Sequence, residues 1–414
     1  MAQASYIVEK QIAPPNILSN LPSEIIGEIL CHVLIREAVK TSVLSHRWRY
    51  LWCSIPDLLF EHNCVNLPIS SPSFVNKFVS FVSRVLLLHR GPVRKFEVAP
   101  YCKLEFSNIS QWLTFVSRNG IEKLSVEFGN EHITVPSSLF LCDKLKELYL
   151  AYSESLKLPV SFDGFMLLTR LVFISVSIDI HSLEKLISGC PLLEILELSN
   201  SHSEVLKIHA PRLWYLNLKG TFDGFILEKL PLLEMISVTM ADDVTKHSCT
   251  LVQFIDKVPD LQKLIGLDYF AQYWSVGMDP TAFAITHNHL WFIKLRIDFE
   301  DPWEVRLLSQ LLIGSPVLKV FEIEGGRRNG SSNGPSTLIS DFWNGSRNLG
   351  RQLLKLKKAT VTTSGSGNEI EFLKFVLLNS PTLETMIVTP SSKLSVGRMI
   401  VDLLRCRRAS TWLK

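Results

Sequence analysis

Cys190–Leu198, CPLLEILEL, carries the spacing that decides the fold: Leu193, Leu196 and Leu198 are set as apolar, two variable, apolar, one variable, apolar. In an extended chain successive side chains alternate between faces, so Leu196 and Leu198 share one face while Ile195 and Glu197 share the other. The phrase returns as LPLLEMISV (Leu230–Val238), SPVLKVFEI (Ser315–Ile323) and SPTLETMIV (Ser380–Val388). Working outward, the same triple stands at Val93/Phe96/Val98, Ile121/Leu124/Val126, Leu145/Leu148/Leu150, Leu171/Ile174/Val176, Leu213/Leu216/Leu218, Leu290/Ile293/Leu295 and Leu356/Ala359/Val361, with a weaker copy at Leu261.

First positions follow one another at steps of 20 to 29 residues, except for one step of 38 from Leu318 to Leu356. That is the period of leucine-rich repeats. Between strands the chain often has helical spacing: 181–189 and 304–314 each end in glycine, with proline two residues on, a stop signal. Such a unit cannot bury its apolar face alone and must stack on its neighbours. The expectation is an α/β chain, an irregular leucine-rich-repeat solenoid or horseshoe spanning 93–335. Residues 325–335 (GGRRNGSSNGP) and 362–368 (TTSGSGN) are expected to be loops.

Residues 16–60 have another character. Three short helices are expected: one opened by Pro22 and capped by Asn20, one over Ile35–Leu44, and one capped by Ser45 that contains Trp48, Leu51 and Trp52. About 45 residues bury little surface among themselves, so this much apolar side chain invites a partner. The motifs Leu21-Pro22, Glu24-Ile25, Ile29-Leu30, Ala38-Val39, Ser42–Ser45, Arg47–Arg49 and Leu51-Trp52 resemble the F-box. SVLSHRWRYLW, with Phe74–Val98 and Glu369–Val388, is similar to plant F-box proteins that carry leucine-rich repeats and a C-terminal FBD segment. Leu34 departs from the pattern, standing where that family usually has proline.

The resemblance implies a division into a flexible N-terminus (1–15), an F-box (16–60), a linking helix (61–92), the repeat array (93–335) and FBD-like terminal repeats (336–414). It implies the substrate-recognition subunit of an SCF-type E3 ubiquitin ligase, docked on a Skp-family adaptor and through it on a cullin scaffold. The docking surface it implies comprises Leu21, Pro22, Ile25, Ile29, Leu30, Val43, Leu44, Trp48 and Leu51, flanked by Arg47 and Trp52. The alternative for the two tryptophans is that they seal the junction to the repeats. The rival function is a leucine-rich-repeat scaffold outside any ligase, with the N-terminal helices as a solenoid cap.

The concave face of the array is where a protein substrate is expected, on the side chains alternating with the core: Glu147, Tyr149, Phe173, Ile195, Glu197, Tyr215, Asn217, Phe292, Lys294 and Arg296. The aromatic members have an alternative in packing on neighbouring strands. Other classes are excluded. Of 414 residues 43 are Lys or Arg and 40 Asp or Glu, too even for a dedicated nucleic-acid binder. At 47% hydrophobic the chain can build a core, yet no apolar stretch nears the ~20 residues of a membrane span. No secretory leader is legible, so the expected location is cytoplasmic, nuclear or both.

The eight cysteines contain no C-x-x-C and are expected as buried thiols. His287 and His289 are too close in sequence to share a metal from a strand. No nucleophile elbow occurs. Neither a catalytic constellation, a metal site nor a cofactor is expected, and the Arg405–Arg408 cluster is expected to be a solvated helix face.

Overall fold

The structure, a computed structural model, describes residues 21–129, 133–199, 202–241, 258, 260–275, 286–327, 353–391, 401 and 403–413. The flexible N-terminus expected over 1–15, and most of the 325–335 loop, lie outside the described residues. Among those described, thirteen strands form one parallel sheet. In chain order they are β1 Asp57–Glu61, β2 Lys95–Ala99, β3 Lys123–Glu127, β4 Glu147–Ser153, β5 Arg170–Val176, β6 Ile195–Ser199, β8 Tyr215–Gly220, β10 Met235–Met240, β11 Lys263–Asp268, β12 Phe292–Ile297, β13 Val320–Gly325, β14 Lys358–Thr363 and β15 Thr385–Pro390. The remaining two, β7 His202–His209 and β9 Phe222–Glu228, pair in a separate parallel sheet.

Register follows from the repeat. Leu124, Leu148, Leu171, Leu196, Leu216 and Ile236 stand opposite one another across successive strands, and Val126, Leu150, Phe173, Leu198, Leu218 and Val238 form a second row. Both rows are buried, and they make the spine of a core that runs from Ile26 to Leu383. At the foot of each strand one carbonyl accepts two N–H groups from the next. Glu194 O receives Trp214 N at 3.0 Å and Tyr215 N at 3.2 Å; Lys357 O receives Glu384 N at 2.9 Å and Thr385 N at 3.0 Å. This forked acceptor repeats along the array and holds each new strand in register before its own ladder begins.

Three features correct the reading of the sequence. The β5 triple is Leu168/Leu171/Phe173, not Leu171/Ile174/Val176, because Leu171 pairs with Leu148 and Leu196. A frame shift of three residues exchanges the faces of a strand, so Phe173 is fully buried in the core and Val172 takes its place on the open face. Second, the sheet begins inside the segment assigned to the F-box: Ile55, Leu58 and Phe60 are an additional copy, with Leu58 opposite Phe96. The sheet also continues unbroken across the 335/336 boundary, since β13 pairs with β14. Third, 362–368 is mostly element: Thr362 and Thr363 end β14 and Gly367 starts a helix.

The opposite face is covered by α3 Phe74–Leu88, α4 Phe106–Ser117, α5 Ile180–Ser188, α6 Phe270–Ser275, α7 Pro302–Gly314 and α8 Gly367–Asn379, and by β7 and β9 where two units carry strands in place of helices. Phe270 of α6 explains the weak copy at Leu261. A Cβ on Gly266 would collide with the Phe270 ring, so glycine in the apolar row leaves room for phenylalanine from the helix side.

His287 is buried in the turn leading into β12, where its N–H donates to Gly314 O at 2.7 Å. Burial drives its imidazole down to about 4. The unfolded chain, titrating near 6.5, then binds the proton more readily, so stability is complete above pH 6.5 and falls as pH drops towards 4, by roughly 3 kcal/mol in all. Urea midpoints between pH 7 and 4 should show this loss, and His287→Leu should flatten it; an unchanged slope would rule the residue out as its source.

Candidate functional site

At the N-terminal end, α1 Ser23–Cys31 and α2 Ile35–Lys40 are followed by 3-10 turns at Thr41–Val43 and Trp48–Ser54. Ser45 Oγ accepts from Trp48 N at 3.4 Å, opening the last turn, whereas Pro22 precedes α1 without a side-chain cap. The helix α1 has two apolar stripes. Ile26 and Leu30, four apart, face the core; Ile25 and Ile29 at the same spacing face out, followed by exposed Val33 just past the helix. Leu34, Val43 and Leu44 in the following turns are exposed as well, with Ile25 48%, Ile29 41%, Val43 87% and Leu44 61% exposed. Six large apolar side chains turned to solvent on so small a module form a patch of the kind proteins use for docking.

The residues expected on the docking surface therefore divide. Ile25, Ile29, Val43 and Leu44 lie in the patch, and Pro22 and Arg47 are exposed near it, Arg47 donating to Ser23 Oγ at 3.3 Å. Leu21 and Leu51 are half-buried against the core. Leu30, Trp48 and Trp52 are not surface residues: they are buried, and Trp52 Nε1 donates to Arg49 O at 3.1 Å. Both rings belong to the buried cluster that also holds Ile26, Leu30, Ile55 and Leu58. Val33 and Leu34 were missed, although the i, i+4 continuation from Ile25 through Ile29 points to Val33.

Leu34 holds φ −57° and ψ 140°, a conformation proline adopts without strain, and among the described residues its N–H donates to nothing. Leu34→Pro should therefore raise stability by about 0.4–1 kcal/mol through the unfolded chain. A urea midpoint below that of the wild type would contradict this.

The open face of the sheet carries Glu147, Tyr149, Ile195, Glu197, Tyr215, Asn217, Phe292, Lys294 and Arg296, each half-buried between neighbouring strands. Its charges are largely matched across adjacent strands: Lys123 with Glu147 at 2.6 Å, Arg170 with Glu197 at 2.7 Å, Lys294 with Glu324 at 3.2 Å and Arg296 with Asp268 at 3.2 Å. Surface pairs of this kind contribute about 0–1 kcal/mol and open readily for a partner. Over β2–β5 the face forms a shallow depression of about 320 Å³, lined by Ser125, Tyr149 and Val172 and rimmed by charges. Within it burial, with Glu127 beside it, pushes the Tyr149 phenol up to about 12, and burial also raises Glu127.

Among the described residues no three His, Cys, Asp or Glu side chains converge as a metal site, and no helix is long and apolar enough to cross a membrane. His287 is buried while His289 lies 3.7 Å from Asp260, so the two do not act together. Burial pushes the Cys142 and Cys190 thiols up to about 12 and about 11, leaving them protonated and inert.

Comparison with known proteins fits this arrangement. The F-box domain model matches residues 18–59, and the model for the leucine-rich repeats of FBD-associated F-box protein At5g56370 matches 109–277. F-box/FBD/LRR-repeat protein At1g13570 of Arabidopsis thaliana is 39% identical over 96% of this chain and 97% of its own length. F-box/FBD/LRR-repeat protein At5g56420 of the same plant is 25% identical over 95% and 97%. Putative F-box/LRR-repeat protein At3g58880 is 26% identical over 75% and 78%.

Proposed function

Because the chain belongs to the F-box/FBD/leucine-rich-repeat family, we propose that it is the non-catalytic substrate-recognition subunit of an SCF-type E3 ubiquitin ligase. In this reading the N-terminal patch docks on a Skp-family adaptor, which bridges to a cullin scaffold, and the open face of the repeats holds a protein substrate for ubiquitination by the assembled ligase.

The observation that carries the reading is the outward apolar patch of Ile25, Ile29, Val43 and Leu44. A module whose only duty was to cap the solenoid would turn those side chains inward, since exposing them costs about 1–2 kcal/mol each in lost burial. A few central anchors, desolvated and ringed by contacts that exclude water, carry most of the energy of a protein interface. The open face supports the second half: half-buried aromatic rings and easily opened ion pairs supply contact area and adaptable hydrogen bonding.

A scaffold outside any ligase is favoured by one observation, the burial of Leu30, Trp48 and Trp52, which is what a cap requires. Co-expression with a Skp-family adaptor separates the two. A stoichiometric complex in which the full chain elutes with the adaptor supports the ligase reading; a folded chain that elutes alone would leave the scaffold.

A further inference from the structure

We propose that the rim of the array at β6–β10 is a receptor for a lysine or arginine side chain of the bound protein, built from Glu194, Trp214 and Glu234. The proposal rests on the repeats being the substrate-binding part of the chain, and it names the chemistry they select.

The three residues occupy one position in three successive units. Trp214 N–H donates to Glu194 O and Glu234 N–H to Trp214 O, both at 3.0 Å. Their side chains thus stand in a row at the foot of the sheet, about 4.8 Å from one to the next. Trp214 is 40% exposed and leans on Tyr215 of the open face, with ring centroids 5.8 Å apart. An indole face open to solvent with a carboxylate on either side presents negative potential from three directions.

The carboxylates are free to act. Elsewhere on the rim acids are matched by cations, as Glu122 is by Lys146 at 2.8 Å and Glu384 by Lys357 at 3.0 Å. Among the described residues, Glu194 and Glu234 have no hydrogen-bond or ion-pair partner, and Arg212 nearby pairs with neither.

The chain itself shows how such a tryptophan is used. Trp291 occupies the same position before β12, and Lys263 of the preceding strand places its ammonium 4.9 Å from the ring centroid. The corresponding residue of the strand preceding Trp214 is Ile195, which carries no charge, and among the described residues no cation lies over the Trp214 ring. Where one tryptophan is served by the chain's own lysine, the other is flanked by unmatched acids, so the cation that completes it comes from the partner.

Calorimetric titration of the full chain with acetylated, amidated hexa-arginine tests this. Wild type should bind with an affinity that falls as salt rises. Glu194→Gln with Glu234→Gln should weaken binding by about tenfold or more, and Trp214→Leu should weaken it as well. Asp143→Asn with Asp163→Asn makes the same charge change at two exposed acids elsewhere and should leave the affinity near wild type. Equal effects of the two double variants, or no binding by wild type, would overturn the site. The readout involves no adaptor, so absence of an adaptor complex would overturn the ligase reading and leave the basic-side-chain receptor standing.

Discussion

Ile29→Asp combined with Val43→Asp is expected to lower affinity for a Skp-family adaptor at least ~100-fold while leaving the fold intact. Val43 is 87% and Ile29 41% exposed in the free chain, so their replacement takes little from the core; with the cost of an aspartate near the C-terminus of α1 it should lower stability by about 1 kcal/mol, short of unfolding the module. In the complex they would be anchors. Truncating an interface anchor costs about 2 kcal/mol or more, and a carboxylate left in an apolar interface adds its own desolvation. The informative control is Val160→Asp, which places the same charge on a side chain that is 98% exposed in another part of the molecule. Co-purification and calorimetry should separate the two variants cleanly. Undiminished adaptor binding by the double variant would remove the patch from the interface.

Loss of the Glu369 side chain should be the most damaging single change in the C-terminal repeats. The carboxylate is almost wholly buried at the third position of α8 and folds back over the loop between β14 and that helix. Its Oε2 accepts from Thr363 Oγ1 at 2.7 Å, Ser364 Oγ at 2.9 Å, Gly365 N at 2.8 Å and Ser366 N at 3.0 Å. Ser366 Oγ in return accepts from Glu369 N at 3.4 Å, completing a capping box. Glu369→Ala strips one acceptor from four donors at once. Each donor left without a partner costs about 1–3 kcal/mol, and allowing for water entry and hydroxyl rotation the total should be about 3–5 kcal/mol. Glu369→Gln, which keeps an acceptor but not the charge, should fall between. Glu384→Ala, which breaks only an exposed ion pair, should cost under about 1 kcal/mol. If Glu369→Ala proved as mild as Glu384→Ala by urea unfolding, the loop would be held by something other than this carboxylate. A related device operates two repeats earlier, where buried Glu304, third in α7, accepts from Asp298 N at 2.8 Å.

The sheet was legible because its signal is local and repeated. A residue such as Leu196 fixes its own face, and ten other copies fix its register. What the sequence hid follows from the same physics. In LTRLVFISV (Leu168–Val176) two frames satisfy the spacing equally, and only pairing with Leu148 and Leu196 chooses between them. In β7 the alternation of buried Leu206 and Ile208 was present, but it is short and sits where neighbouring units carry helices. The docking patch was half legible. Composition marked the module as too apolar for its size, yet composition cannot say which of Ile29 and Leu30 faces inward; helical phase against the core decides it. Glu369 was illegible as a stabilising residue, because its value lies in four donors contributed by the preceding loop.

One more consequence lies in how the helices join the sheet. The last 3-10 turn ends at Ser54 and β1 starts at Asp57, with Ile55 buried between them, and Arg36 Nη1 donates across the junction to Asn63 O at 2.8 Å. No length of loose chain separates the patch from the first strand. From β1 to β8 is a fixed count of six neighbour steps, roughly 29 Å at ~4.8 Å per step. The molecule is in that respect a ruler. A cargo gripped at a given strand is held at a set distance from whatever grips the helices, and gaining or losing one unit would alter that reach in increments of a single strand.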